Sequence, residues 1–126
     1  MINEQKFYVC KHCGNMVGMI KNAGVNPVCC GEKMVEVVAN TVDAAKEKHI
    51  PVVTIDGNKV MVKVGEVEHP MTEEHFIEWV YLKTVEGGQR KVLSGKPETE
   101  FMLTENDKVL EVYAYCNLHG LWKVTL

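Results

Sequence analysis

The sequence predicts a mainly β protein in two parts: a small metal-bound amino-terminal domain over residues 1–37, then a β-sandwich over residues 38–126. Three observations carry that expectation. Cys10, Cys13, Cys29 and Cys30 crowd into an opening segment that is poor in long apolar side chains. A piece shorter than ~40 residues rarely folds on burial alone and usually needs a metal or disulfides. The remainder contains about seven short β-prone runs separated by turn chemistry. Only residues 41–48 read as helix.

In chain order, Cys10-Lys11-His12-Cys13-Gly14 is a metal knuckle. Two thiolates three positions apart reach one ion, and the glycine permits the tight turn behind them. Cys29-Cys30-Gly31 supplies a second pair after a 15-residue spacer. Four thiolates make a tetrahedral site for zinc or for iron, and ligand chemistry leaves both open. Neighbouring cysteines must splay their side chains apart to share that ion.

Residues 41–48 can make one or two helical turns, capped by Thr41 or Asp43 and stopping before Pro51. Residues 51–55 and 59–64 flank Asp56-Gly57-Asn58, a hairpin signal. A long β-prone run over residues 75–85 is closed by Glu86-Gly87-Gly88-Gln89 and answered by residues 90–93. Alternation puts His75, Ile77, Trp79 and Tyr81 on one face of that run and Phe76, Val80 and Leu82 on the other. Both faces are apolar, which predicts a central strand or one that meets another subunit. Further strands are expected over residues 98–103, 109–115 and 121–126, with Glu105-Asn106-Asp107 as a turn.

Composition narrows the function. A net charge of −3, with 14 Lys and Arg spread along the chain, gives no basic stripe for nucleic acid or for a membrane surface. No apolar run approaches the ~18–20 residues that span a bilayer. Met1-Ile2-Asn3-Glu4-Gln5-Lys6 has neither the basic nor the apolar region of a secretory leader, so a cytoplasmic protein is expected. Five is an odd number of cysteines for a disulfide framework, and cytosolic thiols stay reduced; metal ligation is the better use for them.

The fifth cysteine lies in Cys116-Asn117-Leu118-His119-Gly120, on a predicted loop between two strands. His49, His69 and His75 also fall at strand ends or connections, where binding residues concentrate. Any one of these histidines alone reads as a surface or satisfied core residue. Together with the only cysteine of the region they suggest a shared site. Four imidazoles and a thiolate exceed what structural zinc takes, whereas iron accepts five or six ligands. With the imidazoles in a plane and sulfur below, the position opposite sulfur is open, and the thiolate pushes electron density toward it.

Assembled, these residues resemble the desulfoferrodoxin family, the two-iron superoxide reductases, over essentially the whole chain. Cys10-x2-Cys13 with Cys29-Cys30 resembles the desulforedoxin-type iron centre. Glu47-Lys48-His49-Ile50-Pro51, His69-Pro70-Met71, His75-Phe76-Ile77 and Cys116-Asn117-Leu118-His119-Gly120 resemble the reductase centre. The resemblance implies a desulforedoxin-like domain and an immunoglobulin-like sandwich. It implies iron at both sites, the second ion held equatorially by His49, His69, His75 and His119 and axially by Cys116. It further implies reduction of superoxide to hydrogen peroxide, a homodimer, and rubredoxin or a similar carrier as electron donor. In that reading Lys48 steers the anion and organises proton-donating water, and Glu47 binds the ferric ion after turnover. On a regular strand Lys48 points away from the metal, so Glu47-Lys48 must lie in a loop or helix end. The rival readings are a colourless zinc-binding module and a pure electron carrier that uses the four cysteines alone.

Overall fold

The structure is a computed structural model and describes residues 4–126, so the leader-free reading of Met1, Ile2 and Asn3 lies outside the described residues. The chain divides into two compact units, Met1–Val38 and Ala39–Leu126.

In the first unit, β1 (Phe7–Val9) pairs antiparallel with both β2 (Met16–Gly18) and β5 (Val35–Val37). A second ribbon joins β3 (Val28–Cys29) to β4 (Glu32–Lys33). None of these five strands was expected, because runs of two or three residues are too short to display an alternation. Tyr8, Cys10 and Met34 are buried together, with Met19 and Cys29 packed against them. Cysteines do form part of this unit's core, as the composition predicted.

The second unit is a β-sandwich of seven strands. One sheet runs β10 (Glu98–Met102), β7 (Lys59–Val64), β6 (Pro51–Asp56). The other runs β12 (Gly120–Thr125), β11 (Val109–Cys116), β8 (Ile77–Thr84), β9 (Gly88–Val92). Gly57, with φ of 60°, opens the two-residue turn between β6 and β7, a conformation that favours glycine. The inner faces meet in one core that includes Val60, Val62, Leu82, Phe101 and Val112. Along one side, Gln89 Nε2 donates to Met102 O at 2.9 Å and Lys91 Nζ donates to Glu100 O. These side chains of β9 satisfy the outer carbonyls of β10 that an edge strand otherwise leaves open.

Two expectations are corrected here. The helix α1 spans only Lys46–His49, with Ala45 as its N-cap and no side-chain cap, in place of residues 41–48 capped by Thr41 or Asp43. The preceding segment is drawn out by Asn40, which bonds Leu121 O through its backbone and Lys123 through both ends of its amide. Those tertiary bonds outweigh the modest helix propensity of Thr41 and Val42. In β8, Ile77 faces the core with Val80 and Leu82, not the opposite face with Trp79 and Tyr81. The cause is an irregularity in register: Tyr115 opposes Trp79, but Cys116 opposes Ile77, leaving Glu78 as the extra residue. β8 itself is a central strand, flanked by β11 and β9.

Candidate metal centres

The four-cysteine group explains how adjacent cysteines splay. Cys29 ends β3 and pairs with Glu32, leaving Cys30-Gly31 as a two-residue hairpin turn. Both have positive φ, 53° and 75°, as a type I′ turn requires. The left-handed backbone at Cys30 turns its side chain away from the strand direction that Cys29 follows. Opposite, the knuckle closes through Gly14 N to Cys10 O at 2.9 Å and Cys10 N to Asn15 O at 2.8 Å. Backbone N–H groups of Cys13 and Asn15 point at the sulfurs of Cys10 and Cys13, at 3.5 and 3.4 Å.

Cys13 and Cys29 Sγ are 3.6 Å apart, Cys29 and Cys30 Sγ 4.0 Å. Thiolates ~2.3 Å from one ion in a tetrahedron lie ~3.8 Å apart, so the set fits a tetrahedral metal. The backbone N–H of Cys13 is the main reason that the Cys10 thiol is lowered to about 6, while hydrogen bonds that the protonated Cys30 thiol gives to Cys13 and then Cys10 push it up to about 12. All five cysteines of the chain are free.

The second group forms where both sheets end. His49 closes α1, immediately before β6; His69 lies between β7 and β8; His75 precedes β8; Cys116 ends β11; His119 precedes β12. Donor atoms of His49, His75, Cys116 and His119 lie within 4.8 Å of one another. His69 is not in that mutually close set, but its Nε2 is 3.2 Å from that of His49. Around the ring the centroid distances are 4.7 Å (His49–His69), 4.6 Å (His69–His75), 4.9 Å (His75–His119) and 5.0 Å (His119–His49). Across it, His49 and His75 are 6.4 Å apart. Adjacent rings stand 75–83° to each other, like the blades of a propeller.

Protonation shows what this arrangement lacks. Nδ1 of His49 donates to Ala45 O at 2.6 Å and Nδ1 of His69 to Pro70 O at 2.7 Å. Each neutral ring therefore carries its proton on the outside, and the two Nε2 lone pairs face each other at 3.2 Å with no hydrogen between them. Nε2 of His75 is buried and has no hydrogen-bond partner among the described residues. A cation at the centre satisfies all three. Four nitrogens ~2.1 Å from one ion lie ~3.0 Å apart along the edges of a square and ~3.4 Å apart in a tetrahedron. The observed 3.2 Å and 3.1 Å (His49 Nε2 to His119 Nδ1) lie between the two, and the four-membered ring of centroids selects the square.

Burial keeps His49, His69 and His75 below the ordinary histidine range, His69 at about 4, so their lone pairs are available at neutral pH. Burial also raises the Cys116 thiol, against the pull of backbone N–H groups of Leu118 and His119. Its sulfur is fully buried and 4.0 Å from His119 Nδ1. At that distance the sulfur would serve as a fifth donor to an ion held by the imidazoles.

Glu47 and Lys48 lie on α1, both exposed. Helical geometry removes the alternation objection to Lys48, whose charge is among the causes that lower His75, after burial and His119. Sequence reasoning missed Trp122, which stacks on His49 with centroids 4.8 Å apart and donates its indole N–H to His119 O at 3.0 Å. It also missed Ala45 and Pro70, which act through carbonyls that no residue type announces.

The fold and the two groups define a class: β-sandwich proteins with one four-thiolate metal site and one histidine–cysteine metal site. The sequence profile of the Desulfoferrodoxin family matches residues 41–125. A desulfoferrodoxin of Clostridium acetobutylicum is 44% identical over the full length of both chains. The crystal structure of the superoxide reductase from Treponema pallidum is similar with 50% identity and a TM-score of 0.83, covering 98% of this chain and 100% of that one. The superoxide reductase (1Fe-SOR) of Giardia intestinalis is 34% identical with a TM-score of 0.55, covering 64% of this chain and 98% of that one. The chain belongs to the desulfoferrodoxin family. Its four-cysteine group and its four-histidine, one-cysteine group are the two iron sites of that family.

Proposed function

We propose that the chain is a superoxide reductase, converting superoxide to hydrogen peroxide with one electron and two protons. The observation that carries this reading is the ring of His49, His69, His75 and His119 around one point, with buried Cys116 beside it. In the proposal residues 1–37 form a desulforedoxin-like domain whose iron is held by Cys10, Cys13, Cys29 and Cys30. Residues 38–126 form the reductase domain, whose iron is held by the four histidines and Cys116. The similar structure from Treponema pallidum, a superoxide reductase, supports the reading.

Iron, when bound, supplies the electron that superoxide takes. The protein's part is to keep His49, His69 and His75 neutral by burial, to fix His49 and His69 through Nδ1, and to hold the Cys116 sulfur between backbone N–H donors. Lys48 Nζ would add the positive charge that draws a small anion to an otherwise acidic protein and would organise a proton-donating water. Glu47 provides a carboxylate as a further donor. Rubredoxin or a similar carrier as electron source, a role in superoxide detoxification, a homodimer and a cytoplasmic location complete the proposal. No helix among the described residues is long and apolar enough to cross a membrane.

One experiment tests the function and the steering together. Reduced protein mixed with superoxide is expected to give hydrogen peroxide without oxygen, because reduction and dismutation differ in that product. Lys48→Ala is expected to slow the encounter about tenfold at low ionic strength and to flatten its salt dependence. Oxygen released alongside peroxide refutes the reductase reading; an unchanged rate in the variant refutes the steering role alone.

A further inference from the structure

The rings of His49 and His69 are each locked by a hydrogen bond from Nδ1 to a carbonyl. His75 is held differently. Among the described residues, its hydrogen bonds are all to its backbone: Thr72 Oγ1 accepts from His75 N at 3.1 Å, and Thr72 N and Oγ1 donate to His75 O at 2.9 and 3.2 Å. Its ring nitrogen Nε2 is buried with no partner. The orientation of this imidazole therefore depends on how firmly its short segment is fixed.

That segment is fixed by a residue from the other side of the site. Asn117 Oδ1 accepts from Phe76 N at 2.9 Å, and Asn117 Nδ2 donates to Glu74 O at 3.0 Å. The backbone N–H of Asn117 donates to Phe76 O at 3.2 Å. One residue thus grips the backbone immediately before and immediately after His75, while standing next to Cys116 and two positions before His119. These bonds lie at the register irregularity that turns Ile77 and Cys116 inward, where the regular ladder between β8 and β11 gives out. The side chain of Asn117 replaces the ladder bonds that the irregularity removes.

We propose that Asn117 is a positioning residue that sets His75, Cys116 and His119 as one unit, with Thr72 holding His75 from its other side. It acts through backbone geometry, not through contact with substrate. The inference rests on the ligand set proposed above. Loss of the Asn117 clamp frees the two chain segments to move apart, which weakens the grip on iron and shifts the Cys116 sulfur relative to His75. Outer contacts of this kind are worth 10–100-fold in metal affinity.

The test is the rate at which a ferrous chelator strips iron from the second site of the reduced protein, followed beside the thiolate-to-iron absorption of the oxidised form. The absorption of the four-cysteine centre reports in the same sample on the integrity of that centre. Asn117→Ala is expected to lose the second iron at least tenfold faster, with a shifted band and an unchanged four-cysteine spectrum. Asn117→Asp, which keeps the acceptor for Phe76 N but not the donor to Glu74 O, is expected to fall between. Should Asn117→Ala not fold, Thr72→Val, which removes Oγ1 at nearly constant shape, is expected to show the same faster loss and band shift. Wild-type rates and band positions in the variants that fold overturn the proposal. A wild-type protein without a second iron overturns the ligand set instead.

Discussion

Replacing Cys116 by serine is expected to abolish superoxide reduction, lowering it by at least about 100-fold, while leaving the four-cysteine iron and its colour in place. Cys116 is fully buried within the sandwich core, where the backbone N–H groups of Leu118 and His119 support a thiolate. A serine hydroxyl in the same place stays protonated and gives the site neither negative charge nor a soft donor. The outcome is read as peroxide yield per superoxide added, with iron counted at both sites. Full activity in the variant refutes the role of the sulfur.

The second large effect is expected at a glycine that touches neither group. Gly65 has φ of 86°, and a Cβ there lies 2.3 Å from Val67 O and 2.6 Å from Lys48 O, both backbone atoms that cannot swing aside. The same loop donates Val67 N to Glu47 O at 2.8 Å, so the loop after β7 cradles α1 from below. Gly65→Ala is expected to cost about 3 kcal/mol or more, a fall of at least ~12 °C in Tm, and to displace Glu47, Lys48 and His49 together. Gly95→Ala is the control. Its φ is 80° but nothing lies within 4 Å of the added Cβ, so only the left-handed backbone cost of ~1–2 kcal/mol applies. Thermal unfolding of the two variants separates them, and equal losses contradict the cradle.

The sandwich was legible because its strands are five to eight residues long and punctuated by glycine-bearing turns such as Asp56-Gly57-Asn58. The strands of the first unit were not, because two or three residues carry no period. Ile77 was assigned to the wrong face because alternation assumes an unbroken strand, and the extra residue at Glu78 leaves no compositional trace. The helix was read too long because the bonds of Asn40 to β12 join residues 83 apart in sequence, which no local pattern reveals. Both metal groups were legible because cysteine and histidine are scarce and chemically committed. Their supports were not: Ala45 and Pro70 act through carbonyls, and Trp122 reads as one more core aromatic.

In the proposed reductase site four imidazoles and one sulfur from distant parts of the chain meet at one iron. Anomalous diffraction at the iron edge from crystals of the ferrous protein tests it most directly. The expected map has two iron peaks per chain, the second ~2.1 Å from nitrogens of His49, His69, His75 and His119, with the Cys116 sulfur on the perpendicular. No peak among these histidines, or a peak there that Cys116 does not reach, contradicts the account.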